Sequence, residues 1–581
     1  MRRDLSRLTR AEFDVLIVGG GITGACLAHD AALRGLSVAL VERQDFGGAT
    51  SAASSKLLHG GVRYLQTLQL GKVRESAVER ACFQRIAPHL IRWVPFLIPT
   101  YRGVRKGRAL LAAGIAAYEL VCRGHDTNVP PSLRAPRGRY LSPGEIAREM
   151  PALLGSGTLT GAQLLFEAHM HSSERMTLAF LRTADREGAA IANYAMVEDF
   201  VLAGSAVRGA VVRDVPSSEC FEVHARLTVN AAGPWIPSVN QRLAVGRLPR
   251  PITHFSKGAH IVTRQIAPRF AVALPSARQG ASLVSRGGRH IFAIPWRGHS
   301  LIGTSDSPFQ EDLDAVGPSD QDIDDLLEDV AAVLPDARLG RGDVRHAFAG
   351  LYPLTGEAVR PHVYRGTGTY QVVDHAGRDG VDGFVSVVGA KYTTARRLAA
   401  GAIDVVMRKL GRARVPCRTA AFPLVGFVPD PEAYTATLVR EHEGRRVEAA
   451  TVAHLVAGYG SEAGDLLRGV PQSLARLTLW RESIEAEVTF AVREEMAVRL
   501  EDVVFRRTGL GTLGHPGLEC LRRCAEIMAG ELGWTDDETR RQVEAADARF
   551  PIRPTDAERP SPAPAPAPGE SARLGTAEST G

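Results

Sequence analysis

Lysine is scarce in this chain: six residues among 581, although Lys and Arg together number 70. Arginine carries almost all the positive charge, so a position that keeps lysine stands out as one needing a compact ammonium rather than a planar fork. The six are Lys56, Lys72, Lys106, Lys257, Lys391 and Lys409. Long apolar runs are missing too. No stretch of 18 or more apolar residues occurs, which excludes a transmembrane helix of ordinary length. The start, Met1-Arg2-Arg3-Asp4, has neither apolar core nor cleavage site, so no secretory signal is expected. Cysteines number seven, odd and scattered, which argues for a reducing, cytoplasmic compartment. Cys520 and Cys524 lie four apart with no His or second Cys pair nearby; they read as half-buried helix residues, and no metal is expected. The charge excess, +6, is too mild for a nucleic-acid partner but suits anionic small molecules or an anionic membrane surface. No internal repeat is found.

The stretch that is there, and organises the rest, is 13–43. Phe13-Asp14-Val15-Leu16-Ile17-Val18 is the short, β-branched run of a buried parallel strand. Gly19, Gly21 and Gly24 then fit G-x-G-x-x-G, where the three glycines give a tight turn, close approach to a pyrophosphate and close helix–strand packing. An Ala-rich helix follows, whose N-terminus offers free N–H groups to phosphates. A second strand ends at Glu42, 18 residues beyond Gly24, where a carboxylate can accept bonds from ribose hydroxyls. The unit is a dinucleotide site; by itself it does not choose between FAD and NAD.

A chain this long needs two or three domains. Residues 47–64 are small, polar and glycine-rich, but end in His59-Gly60-Gly61-Val62-Arg63-Tyr64, which suits a cofactor-and-substrate loop better than a linker. An amphipathic helix is expected over 72–91. Within 102–122, Arg102, Arg105, Lys106 and Arg108 precede an apolar stretch too short to span a bilayer; it fits a core helix or one lying on a membrane surface. Residues 197–226 read as a three-stranded meander running into a buried strand that ends Ala231-Ala232-Gly233. Segments 254–263 and 290–306 look like strands of a second sheet, and 320–334 like an acidic amphipathic helix. Strand 385–388 leads through Gly389-Ala390-Lys391 into a helix ending near Leu410, a second anion-friendly helix start. From about 425 the chain turns helical, with Val488, Val492, Met496, Leu500 and Val504 forming one stripe at spacing four. The Pro/Ala/Ser-rich segment 553–581 is expected to be a disordered tail.

Taken together, Gly19–Gly24, Thr50-Ser51, Ser54-Ser55-Lys56-Leu57, His59–Tyr64, Ala231–Trp235, Lys257-Gly258-Ala259-His260, Ile294-Pro295-Trp296, Ile302–Asp306 and Gly389–Thr394 resemble the FAD-dependent glycerol-3-phosphate dehydrogenase family, within the glycine-oxidase-like flavoproteins. Val492–Ala497, Leu500–Val503 and Arg506-Arg507-Thr508 are similar to that family's helical appendage. The resemblance implies an α/β fold: a discontinuous Rossmann-like FAD-binding domain (11–93, 160–236, 345–412), an antiparallel-sheet substrate or cap domain (94–159, 237–344) and a C-terminal helical domain (413–552). It implies FAD contacts at Gly19, Gly21, Gly24, Glu42, Thr50, Ser51, Ser55, Lys56, Leu57, Val197, Ala232, Gly233, Asp306, Gly389, Lys391 and Thr393.

The family oxidises sn-glycerol 3-phosphate to dihydroxyacetone phosphate and passes electrons through FAD to quinone at a membrane, or to another acceptor. Hydride transfer to flavin N5 leaves a hydroxyl proton to be accepted, for which His59 and His260 are the candidates. Lys391 can offset negative charge on the flavin, and Arg63 and Tyr64 can hold substrate oxygens. A phosphorylated polyol substrate, a quinone or other acceptor, peripheral contact with the cytoplasmic face of a membrane and a homodimer are the partners this implies. Two departures favour an alternative substrate, another small hydroxy or amino acid. Tyr352 and Gly368 stand where the family pattern has arginines that grip phosphate, with Arg345, Arg360 and Arg365 as candidate substitutes. Ser172-Ser173 replaces an acidic pair ahead of Glu174 and Arg175.

Overall fold

The computed structural model describes residues 1–61, 69–102, 108–151, 153, 159–243, 252, 254–275, 290–354, 369–389, 391–443, 447–469 and 471–552. Arg63, Tyr64, Arg105, Lys106, Arg360, Arg365, Gly368, Ala390 and the 553–581 tail, each part of an expectation above, lie outside them.

Strand Phe13–Val18 is the centre of an eight-stranded sheet. It runs parallel to Val38–Val41 on one side and Cys220–Asn230 on the other, with Val15 opposite Val38 and Leu227. Phe384–Val388 extends the sheet in parallel beyond Cys220–Asn230, and Ala190–Ala192 beyond Val38–Val41. All six residues of the central strand are buried because both faces are covered. Val15 and Ile17 join the core under helices Ile22–Leu33, Ser173–Arg186 and Ala395–Lys409. Leu16 and Val18 point the other way, into a core shared with the meander Ala195–Ala203, Ala206–Asp214 and Cys220–Asn230. The expected meander and third parallel strand are thus one continuous feature.

A second, ten-stranded sheet carries the other half. His254–Arg264 pairs antiparallel with Val344–Leu354, His299–Gly303 and Ser307–Phe309. The sheet continues through His290–Trp296 and Ala271–Pro275 to Ile91–Tyr101, Leu159–Met170 and Leu57–Leu58. Helix Asp320–Val333, begun by a Ser319 capping box, covers it with Leu326 and Val330. Leu159–Met170 and Val344–Leu354, at the start of segments expected in the FAD-binding body, are strands of this second sheet.

Three local expectations change. The helix expected over 72–91 spans Leu70–Ile86, and the chain from Ile91 is a strand; Pro88 disfavours helical geometry at Ala87 and ends the helix. The single stripe from Val488 to Val504 breaks in two. Helix Glu485–Glu495 stops where Met496 adopts φ +54°, and the Asp502 carboxylate caps the amides of Val498 and Arg499, starting the wider turns of Asp502–Arg507. Val488, Leu500 and Val504 still share the C-terminal core with half-buried Val492, while Met496 turns into the core of the first sheet. Cys520 and Cys524, expected half-buried, are fully enclosed in the C-terminal core.

Candidate active site

The glycine turn fits a nucleotide for steric reasons visible atom by atom. Gly19 has φ +111°, and a Cβ there would lie 2.8 Å from the Ala231 carbonyl oxygen. A Cβ on Gly24 would sit 1.9 Å from the Gly19 oxygen, so Gly24 serves helix–strand packing and does not itself reach the cavity. Gly21 opens helix Ile22–Leu33, whose first N–H, on Ile22, is donated to the Ser51 hydroxyl at 3.0 Å. The Glu42 carboxylate, held at the end of its strand, accepts the Gly20 N–H at 2.7 Å and the Gln44 N–H at 2.9 Å. Burial raises its carboxyl above the usual range, and those two bonds act against the rise.

From this turn a cavity of ≈ 690 Å³ extends between the two sheets. Gly19, Gly21, Glu42, Thr50 and Ser51 line its nucleotide end with Val197, Ala232 and Gly233. Gly389, Lys391 and Thr393, from the turn after Phe384–Val388, line it as well, and a Cβ on Gly389 would fall 2.8 Å from the Thr23 hydroxyl. The second sheet and the loop before it contribute Ser55, Leu57, His59, His260 and Asp306. Asp306 accepts a hydrogen bond from Ser256. The N-terminal glycine turn and the Lys391 segment, far apart in sequence, therefore share one cleft.

Lys56, like Gly24, is an expected cofactor contact that does not line the cavity. Its ammonium turns away from the cavity and lies 2.9 Å from both oxygens of Glu174, with Ser173 and the Ala52 carbonyl as further acceptors. Lys257, likewise singled out as a retained lysine, pairs with Asp322 at 2.6 Å. Arg345, offered as a substitute phosphate ligand, lies against Gly514 rather than on the cavity.

The two histidines differ. His59 lines the cavity on the loop leading out of Leu57–Leu58. His260 is 4% exposed, its Nε2 is 2.8 Å from the Ser55 hydroxyl, and its ring stacks on Phe348. Burial, aided by the Lys56 charge, lowers its pKa to about 3, so the imidazole is neutral at pH 7.

Some lining residues had no signal in the sequence. Phe96, Ile98, Leu165 and Phe292 come from the second sheet, and Leu111 and Ile115 from helix Arg108–Val121; together they make one region of the wall apolar. Only long-range pairing brings them there. Arg43, next to Glu42, stacks on Trp235 at 4.4 Å and pairs with Asp314. Tyr352, noted for the arginine it replaces, stands in the wall itself.

Comparison with known proteins agrees with this geometry. Residues 14–396 match the family model described as FAD dependent oxidoreductase, and residues 417–539 the C-terminal domain of alpha-glycerophosphate oxidase. The chain is 32% identical to a glycerol-3-phosphate dehydrogenase of Synechocystis over 93% of its own length and 97% of that protein. It is 33% identical to glycerol-3-phosphate dehydrogenase 2 of Mycobacterium tuberculosis over 92% of its length and 88% of the relative. The chain belongs to the FAD-dependent glycerol-3-phosphate dehydrogenase family. In this family the crystal structure of the Bacillus halodurans glycerol-3-phosphate dehydrogenase complexed with FAD superposes with a TM-score of 0.74 at 25% identity, over 94% of this chain and 95% of that one. The fold, enzyme class and FAD dependence expected from the sequence stand. Among the described residues, no helix is long and apolar enough to cross a membrane.

Proposed function

We propose that this chain oxidises sn-glycerol 3-phosphate to dihydroxyacetone phosphate and passes the electrons to quinone or another acceptor. The observation that carries the reading is the shared cleft: Gly19, Gly21, Lys391, His59 and His260 all line one cavity. Gly19, Gly21 and the start of helix Ile22–Leu33 would hold the pyrophosphate, Glu42 a ribose and Val197 the adenosine end. The chemistry a bound FAD would supply is hydride acceptance from carbon 2. The chain's own task is to remove the hydroxyl proton and keep carbon 2 in place. His59 is the better proton acceptor, because an imidazole depressed as far as His260, with Nε2 already engaged by Ser55, accepts an alcohol proton poorly. His260 then orients Ser55 on the cavity wall. Lys391 supplies positive charge at the reacting end, and Arg63 and Tyr64 are assigned to substrate oxygens.

The experiment is anaerobic reduction of the purified yellow protein. Glycerol 3-phosphate should bleach the flavin saturably, and His59→Asn should slow bleaching by about 10²–10⁴-fold while His260→Asn slows it less. No bleaching at millimolar substrate ends the proposal. Tyr352 and the apolar wall favour a second reading, oxidation of another small hydroxy or amino acid; glycerol or an amino acid outperforming the phosphate ester would establish it.

A peripheral membrane position on the cytoplasmic face is part of the proposal. Helix Arg108–Val121 turns Leu111 and Ile115 to the cavity and leaves Ala109, Ala112, Ala113, Ala116, Ala117 and Leu120 exposed along its opposite side. Arg102, Arg108 and Arg123 are exposed at its ends, as on a helix lying at an anionic surface.

A further inference from the structure

Arg506 and Arg507 belong to a C-terminal motif that the reaction does not use, yet both are buried, and both point at the nucleotide end of the cavity. Their target is Asp45, three residues beyond Glu42 and 3% exposed. Arg506 donates from Nε to Asp45 at 2.5 Å, and Arg507 donates two bonds to the same carboxylate at 2.7 and 2.8 Å. Asn193 adds a fourth at 3.0 Å. The arginines are themselves fixed from behind. Arg506 pairs with Asp502, which also accepts the Tyr194 hydroxyl, and Arg507 donates to the Glu495 carbonyl.

The segment they grip is part of the site. Glu42, Asp45, Gly47, Gly48 and Ser51 all line the cavity. From the other side, Gly47 donates to the Gly20 carbonyl at 3.0 Å and Ser51 accepts from Ile22. The segment 42–51 is thus clamped between the glycine turn of the first sheet and two guanidiniums of the helical domain. Charge-assisted bonds of this number and burial hold a loop in one geometry far more strictly than packing alone. Burial works to raise the Asp45 carboxyl, and the two guanidiniums overcome it and hold it well below the usual range.

We infer that the C-terminal helical domain retains the cofactor, with Arg506 and Arg507 as positioning residues that act on the ribose-and-pyrophosphate wall through Asp45. The inference rests on the FAD site proposed above. Binding and clamping are then linked: FAD tightens the Asp45 contacts, and the contacts tighten FAD by the same factor.

A different pair supplies the control. Arg182 and Glu462, 2.6 Å apart, cross the same domain boundary without touching 42–51. In the full-length protein, Arg506→Gln should raise the FAD dissociation constant, followed by flavin fluorescence, by about ten-fold or more. It should also shrink the rise in Tm that saturating FAD gives over the apoprotein. Glu462→Gln should lower the Tm of apoprotein and holoprotein alike and leave the FAD constant within about two-fold, as mere interdomain glue does. Equal FAD constants in wild type and Arg506→Gln overturn the inference, as does an equal rise in both variants. Should Arg506→Gln not fold, hydrogen exchange of the wild type decides. FAD added to the apoprotein should protect 498–508 of the helical domain together with 19–24 and 42–51. Protection at 19–24 and 391–394 without any at 498–508 overturns the inference and leaves the site reading standing; protection nowhere overturns both.

Discussion

Lys56 and Lys391 stand in matching circumstances in the sequence, each a rare lysine in a glycine- and hydroxyl-rich motif beside a strand, and the fold gives them opposite work. Lys391 faces the cavity between the sheets. Lys56, 1% exposed, points into the protein and neutralises Glu174 on the helix behind. Left-handed backbone at Lys56, φ +56°, turns its side chain inward, while Ser55 and Leu57 on either side line the cavity. A milder contrast separates the two cavity histidines: His260 is buried, stacked on Phe348 and engaged by Ser55, while His59 sits on the loop after Leu57–Leu58. A functional motif is thus two populations, side chains that face the reacting molecules and side chains that hold the first group still.

The largest expected effects test that division directly. Lys56→Met leaves the Glu174 carboxylate buried without its cation, and should cost about 3–5 kcal/mol of unfolding stability in denaturant titrations of the apoprotein. Lys391→Met should change apoprotein stability by less than about 1 kcal/mol yet lower turnover by about 10²–10³-fold, the loss expected for one preorganised charge at the reacting centre. If Lys391→Met unfolds the apoprotein while Lys56→Met only slows turnover, the two lysines have been assigned the wrong way round.

How much of this was legible in the sequence follows from the reach of each contact. The turn from Phe13 to Glu42 is a local unit whose strand, glycines, helix and acid all interact within 30 residues, so pattern alone locates it. Lys391 is read the same way, from a strand, a glycine and a helix start in succession. The direction of the Lys56 side chain is not legible, because its partner Glu174 is 118 residues away and no local rule reports which way a left-handed residue aims its side chain. Asp45 passed unnoticed for a similar reason, with Arg506 at a separation of 461. The apolar wall was invisible because Phe96, Leu165 and Phe292 meet only when three strands of the second sheet are aligned. The break at Met496 lay hidden under an unbroken apolar period, since spacing records which side is buried but not where a carboxylate such as Asp502 restarts the chain.

The histidine contrast gives a smaller, pH-dependent effect. His260 has its folded pKa near 3, whereas an imidazole in the unfolded chain titrates near 6.5. Between those values the unfolded chain binds the extra proton. Its contribution is therefore complete above about pH 6.5 and is lost as pH falls toward the folded value, at about 1.4 kcal/mol per pH unit. His29 and His89, also brought to about 3 by burial first and by Arg396 and Arg175 respectively, add slopes of the same sign. Urea unfolding at a series of pH values should show His260→Asn reducing the slope between pH 4 and 6 by about 1.4 kcal/mol per unit, with no change of slope above pH 7. The slope is the readout, because the substitution can shift the level at every pH; an unchanged slope would mean that His260 is already protonated in the folded protein.

Helix Arg108–Val121 extends the comparison to a single element, with one face on the cavity and the other in solvent. Leu120, 70% exposed, is a large apolar side chain beside the outer row of alanines. Alanines bury little area each, so Leu120 should dominate whatever the helix gains at a bilayer. Partial insertion of one leucine is worth about 1 kcal/mol, so Leu120→Ser should weaken binding to vesicles containing anionic lipid by about five-fold. Raised salt should weaken it further through Arg102, Arg108 and Arg123. Flavin reduction by the soluble substrate should be unchanged in the same variant, because Leu111 and Ile115 still close the cavity from the other side. Vesicle binding insensitive to both Leu120→Ser and salt would move the membrane-facing surface elsewhere, and leave this helix as a wall of the site alone.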